Sequence, residues 1–141
     1  MKPINIKFIF RILLVSLVFV AFIVPKVKVC PIKGGEIRKT NIHKPFSLKR
    51  VLIFGKENDQ VISVIDGIVT VNDNKTNKII VESNNLRFFY YGVKSNIKVG
   101  KKGRKFDVLG ILDKGKVLLL SINKNEKYLN VRKYIDCECG D

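Results

Sequence analysis

The stretch Val61–Val71 reads VISVIDGIVTV. Two apolar, β-branched runs, Val61–Ile65 and Ile68–Val71, flank the pair Asp66-Gly67. Branched side chains suit a pleated, half-buried surface, and Asp-Gly between two such runs signals a tight turn. The stretch therefore predicts two strands turned at Asp66-Gly67. The same grammar extends outward on both sides. Val51–Phe54 (VLIF) predicts a buried strand, and Asn72–Asn77 (NDNKTN) a polar loop. Lys78–Glu82 and Leu86–Tyr91 predict a hairpin turned by Ser83-Asn84-Asn85. Val99–Lys105 (VGKKGRK) predicts a glycine-containing loop. Phe106–Leu112 and Val117–Ile122 predict a last pair turned at Asp113–Gly115. Pro31–Glu36 reads as a turn-rich opening, and Tyr134-Ile135 as a final packing element. No stretch after residue 30 sustains a 3.6-residue period. The expected fold is mainly β, a small antiparallel sheet or barrel-like domain.

Ahead of this domain, Ile12–Val24 reads ILLVSLVFVAFIV, without a charge. Extended back to Phe8, the run is interrupted only by Arg11. It suffices to span a bilayer if Arg11 reaches back to the headgroups. A cleaved leader would want small residues where Phe22, Ile23 and Val24 stand. The sequence thus predicts a transmembrane anchor over residues 1–29 and one β domain over residues 30–141. Basic residues flank both ends of the run, so the positive-inside rule is nearly balanced. The short leading tail predicts that the domain lies on the extracytoplasmic side of a bacterial cell membrane.

The 141-residue chain carries a formal charge of +15. Of its 27 Lys and Arg, Lys2, Lys7 and Arg11 belong to the tail and anchor, leaving 24 against 12 acids, or +12. Such a field attracts polyanions: anionic lipid, wall polymers, an acidic protein or nucleic acid. The richness in Lys, Asn and Ile also suits an AT-rich bacterial genome. Lys98, Lys101, Lys102, Arg104 and Lys105 form a basic loop, a candidate contact for a partner or lipid. Phe88–Tyr91 resembles a stacking run for nucleic acid, but alternate members of a strand face the core. An extracytoplasmic domain has no nucleic acid to meet, so that class is set aside. Cys30, Cys137 and Cys139 are odd in number, so at most one disulfide forms among them. With His43 they match no zinc spacing.

The order of these strands and glycines resembles the M23 family of zinc peptidases, the LytM or lysostaphin-like fold that cuts peptidoglycan. The similarity is carried by Pro31, Gly34, Gly35 and Ile37, by Val61–Val69 with Asp66-Gly67, and by Tyr90-Tyr91-Gly92. Further matches are Val99-Gly100, Gly103, Leu109-Gly110, Val117–Ile122 and Tyr134-Ile135. The family's zinc needs a His and an Asp four residues apart, then a His-x-His pair on the last core strand. Those positions fall here at Leu48 and Leu52, and at Val117 and Leu119. None can hold a metal, and His43 is the sole histidine. The resemblance therefore implies a pseudoenzyme without a cofactor, its vacated site filled by core.

Domains of this family without catalysis resemble two sporulation settings. One is that of stage IV sporulation protein FA, which restrains an intramembrane metalloprotease. The other is that of stage II sporulation protein Q, which bridges two membranes. No spacer separates anchor from domain, which favours the FA-like setting. The expected partners are the membrane, a protein such as an intramembrane metalloprotease, and peptidoglycan or anionic lipid. Activation of a cell-wall hydrolase is the alternative.

Overall fold

A computed structural model describes Ile6, Lys7, Ile9, Arg11, residues 27–38 and residues 49–140. The apolar run Ile12–Val24, His43 and Leu48 lie outside the described residues. Among those described, no helix is long and apolar enough to cross a membrane.

In chain order the strands are β1 (Glu36–Arg38), β2 (Arg50–Phe54), β3 (Gln60–Ile62), β4 (Gly67–Asp73), β5 (Lys78–Ser83) and β6 (Leu86–Tyr91). There follow β7 (Val93–Lys94), β8 (Lys102–Gly103), β9 (Val108–Leu112), β10 (Val117–Lys124), β11 (Lys127–Tyr128) and β12 (Glu138–Gly140). Within the described part of the domain the helical content is one 3-10 turn, Val131–Lys133. The large sheet runs β12-β1-β2-β10-β6-β5-β4-β8, with β11 added on β10. A second sheet has the order β3-β9-β7.

β10 organises the large sheet. It pairs antiparallel with β2 on one side and β6 on the other. Side chains alternate along a strand, so one register fixes both faces. Leu118, Leu120 and Ile122 point inward, fully buried, beside Val51 and Ile53 of β2 and Phe88 and Tyr90 of β6. The small sheet supplies Val61, Val93, Leu109 and Leu112 to the same core. Val131, Ile135 and Tyr134 complete it, with the Tyr134 ring edge-on to Phe88 at 5.6 Å.

Two expected hairpins are corners instead. The runs around Asp66-Gly67 do not pair: β3 bonds to β9, whereas β4 bonds to β5 and β8. Gly67 is wanted for close approach rather than for a turn, since a Cβ there would lie 2.4 Å from the Glu82 carbonyl oxygen. The Ser63 hydroxyl bonds the Ile65 carbonyl at 2.7 Å and bends the chain from one sheet to the other. Likewise β9 and β10 are consecutive but lie in different sheets, and the Asp113–Lys116 turn carries the chain across. Gly92, at φ +98°, makes a third crossing between β6 and β7. The β5–β6 hairpin forms as expected, with Asn84 in the left-handed region at φ +53°. The antiparallel expectation fails at one edge, where β12 returns parallel to β1.

The ends of the domain are joined by a disulfide between Cys30 and Cys137, 107 residues apart. It lies just before β1 and just before β12, the two strands that pair in parallel. A closure this long removes much entropy from the unfolded chain. Replacing both Cys30 and Cys137 with Ser should cost about 2–5 kcal/mol. Urea unfolding checks this, and an unchanged midpoint contradicts it.

Tyr90 is the buried polar anchor of the core. Its hydroxyl accepts a hydrogen bond from the Val64 amide at 3.2 Å, tying the 63–66 corner to β6. Burial of the phenol pushes its pKa up from 10.0 to about 12. Below pH 10 the phenol is neutral in both folded and unfolded chains. Between pH 10 and about 12 the unfolded chain ionises first, so stability falls as pH rises. The loss should be roughly 2–3 kcal/mol, and Tyr90→Phe should remove that part of the pH dependence. At neutral pH the same substitution orphans the Val64 amide and should cost about 1–3 kcal/mol. Denaturant melts of both chains at pH 8 and pH 11.5 measure both effects.

Candidate functional site

The face of the large sheet opposite the core is apolar as well. β2, β6 and β10 are not alternating strands but near-continuous apolar runs: RVLIF, LRFFYY and VLLLSINK. Their outward residues therefore include Leu52, Phe54, Phe89, Tyr91, Val117 and Leu119, all half-buried. Leu119 is the register partner of Leu52 on one side and Tyr91 on the other, and Val117 is that of Phe54. Phe89 and Tyr91 stack, their rings nearly parallel at 6.4 Å. The band continues through Ile80 and Val71, the next register partners beyond Phe89.

Polar groups border the band. Arg38 lies over the Phe54 ring at 4.6 Å and Arg50 over Tyr128 at 5.6 Å. Arg87 pairs with Glu82 at 2.7 Å, an exposed contact worth little to stability. Asn77 donates to the Asp113 carboxylate at 3.1 Å, linking the β4–β5 loop to the β9–β10 corner.

The sequence reading assigned the vanished metal ligands to Leu48, Leu52, Val117 and Leu119. Leu52, Val117 and Leu119 do come together, on adjacent strands and one face; Leu48 is outside the described residues. They are not core, as the sequence suggested, but line the outer face, half-exposed. The reason is parity: on β10 the inward places belong to Leu118, Leu120 and Ile122. Sequence reasoning missed Phe54, Phe89 and Tyr91 as parts of this surface. The signal was present, because a strand apolar at consecutive positions must put apolar groups on both faces.

A zinc ion does not fit these side chains. Zinc takes Cys, His, Asp or Glu donors, and Leu52, Val117 and Leu119 offer only hydrocarbon. Among the described residues no group of three or more potential ligands is clustered.

The basic loop sits elsewhere, at the end of the molecule where β4 meets β8. The Asn72 amide nitrogen holds the loop by the Ser95 and Ile97 carbonyls at 3.1 and 2.9 Å, and Gly100 donates to the Val69 carbonyl. Lys98, Lys101, Lys102 and Arg104 are exposed and Lys105 half-buried. Of the cysteines, Cys30 and Cys137 are joined; Cys139 lies in β12, with its backbone opposite Ile37.

Comparison with known proteins gives this architecture a class. No family profile matches the chain, and no curated protein matches it in sequence. Solved structures do match, M23-type peptidases among them. Helicobacter pylori Csd3 aligns at TM-score 0.65 and 20% identity, over 78% of this chain and 33% of its own. A chain of the SpoIIQ–SpoIIIAH pore-forming complex aligns at 0.60 and 14%, over 77% of this chain and 90% of its own. Lysostaphin, the antimicrobial peptidase from Staphylococcus simulans, aligns at 0.59 and 16%, over 72% and 49%. The fold is thus M23-like. The chain spans about a third of the Csd3 structure it resembles.

Parity also sets the energetics of the two faces. Leu120→Ala, at a fully buried position, should cost about 2–5 kcal/mol. Leu52→Ala and Leu119→Ala, half-exposed, should cost about 1–2 kcal/mol each. Denaturant unfolding of the three variants ranks them, and equal losses contradict the two-faced assignment.

Proposed function

We propose that this chain is a membrane-tethered, non-hydrolytic M23-like scaffold that holds or restrains a membrane protein partner. One observation carries the reading: Leu52 and Leu119, which the family resemblance sets at metal-ligand positions, stand side by side on one sheet face and offer only hydrocarbon. An apolar band replaces a polar, water-activating centre. Such a band offers apolar contact surface and lacks the groups to activate water. The charge-free run Ile12–Val24 supports the tether; the extracytoplasmic side is part of the proposal. The domain begins within a few residues of that run, so its reach is short. A short reach suits a role at the membrane surface, such as restraint of an intramembrane metalloprotease during sporulation.

A second reading is a bridging role in a multiprotein channel or wall complex. The likeness to the SpoIIQ chain, which covers 90% of that structure, favours it.

Photo-crosslinking from position 119 in native membranes separates these readings. A crosslink to a multi-span protease supports the first, and one to a channel or wall component the second. A hydrolysis assay on purified cell walls, with and without added zinc, tests the shared premise. The expected outcome is no release of soluble wall fragments in either condition. Zinc-dependent release would overturn the non-hydrolytic assignment.

A further inference from the structure

The corner between β8 and β9 carries a bulky aromatic in an awkward place. Phe106 is 56% exposed and sits at φ +78°. Large side chains rarely adopt that region, and they persist there only when their surroundings dictate it. Here the Phe106 amide donates to the Ser63 carbonyl at 2.9 Å. The neighbouring amides of Lys105 and Arg104 donate to the Asp66 and Asp107 carboxylates at 2.7 and 2.8 Å. The ring is thus held out by three backbone bonds while contributing nothing to the core.

Other exposed apolar groups share this end of the molecule. Val99 is 60% exposed, Val108 47% and Ile111 37%. Val108 and Ile111 line, with Lys94, Ile97 and Lys101, an open cleft of about 440 Å³. Around these groups stand Lys98, Lys101, Lys102 and Arg104, all exposed. The local acids, Asp66 and Asp107, are engaged by backbone amides. Finally, the Lys105 ammonium lies 5.8 Å from the Phe106 ring and donates to the Val27 carbonyl. Val27 follows the end of the apolar run at Val24 by three residues. The tip therefore lies beside the point where the chain arrives from its proposed tether.

We propose that this tip is a docking surface for an anionic bilayer. Phe106 and Val99 enter the boundary between headgroups and acyl chains, while Lys98, Lys101, Lys102 and Arg104 meet lipid phosphates. An apolar tip ringed by cations is the combination that gives surface membrane binding, and aromatic residues favour that depth. The tether gives a first hold and the tip a second, which fixes the orientation of the domain on the membrane. The inference rests on the tethered reading and adds to it a specific lipid-facing surface.

The chain contains no Trp, so Phe106→Trp in the full chain is a single reporter. That variant is reconstituted into vesicles of phosphatidylcholine, with or without phosphatidylglycerol, carrying lipids brominated near the headgroup. Flotation reports the tether, and emission from position 106 reports the tip. The expected result is flotation in both lipids, with a blue shift and bromine quenching in the anionic one. Both optical changes should be lost when Lys101, Lys102 and Arg104 are reversed to Glu. Val99→Trp provides the same readout from the adjacent loop if Phe106→Trp disturbs the corner. Flotation without quenching overturns the docking surface and leaves the tether standing. Quenching that ignores lipid charge and charge reversal also overturns it, because the tether alone would then press the tip down. A blue shift without quenching means a protein or self contact and overturns the lipid assignment. Failure to float contradicts both tether and docking.

Discussion

Everything in this domain depends on the register of β10 between β2 and β6. That strand lies inside the large sheet and pairs along both edges. With a period of two, its pairing decides at once which residues make the core and which make the outer face. A slip by one residue would put Leu119 inside and Leu118 outside. The fully buried set of Leu118, Leu120 and Ile122 is matched by β-branched and aromatic partners on both neighbours, and this fixes the register. Leu52 beside Leu119, the arrangement at the centre of the functional reading, is a consequence of that same lock.

The two sheets are joined by corners rather than hairpins, and the corners give the molecule its distinct ends. The 63–66 segment, Gly92 and the Asp113–Lys116 turn each carry the chain from one sheet to the other. Tyr90 braces the first of these from within the core through the Val64 amide. The basic loop and Phe106 project from the same end, because the loop is fastened to β4 and the 104–107 turn to Ser63 and Asp66. Stability and surface chemistry thus share one set of bonds. The apolar band and the basic tip are separate surfaces of one domain.

Strand content was legible in the sequence because β-branched and aromatic runs such as VLIF and LRFFYY leave little else to form. The β5–β6 hairpin was legible because its turn residues, Asn84 and Asn85, tolerate the backbone it needs. The pairing of the other strands was not. Asp66-Gly67 has the composition of a hairpin turn, yet Gly67 serves a close backbone approach to Glu82 that only the fold reveals. The parallel return of β12, next to the Cys30–Cys137 link, pairs residues about a hundred positions apart. The absence of ligand chemistry at Leu52, Val117 and Leu119 was plain from the residue types. Their place on an outer face was not, since VLLL gives no parity by itself. Phe106 read as the head of a strand, whereas it stands at a left-handed corner before β9, and its exposure comes from that corner.

The central claim is that the apolar band, at positions the family resemblance assigns to metal ligands, holds no zinc. Metal content of the full chain, purified without chelators and dialysed against excess zinc, tests it most directly. The account predicts zinc far below one equivalent per chain. One tightly held equivalent per chain, lost together with activity on chelation, would contradict it.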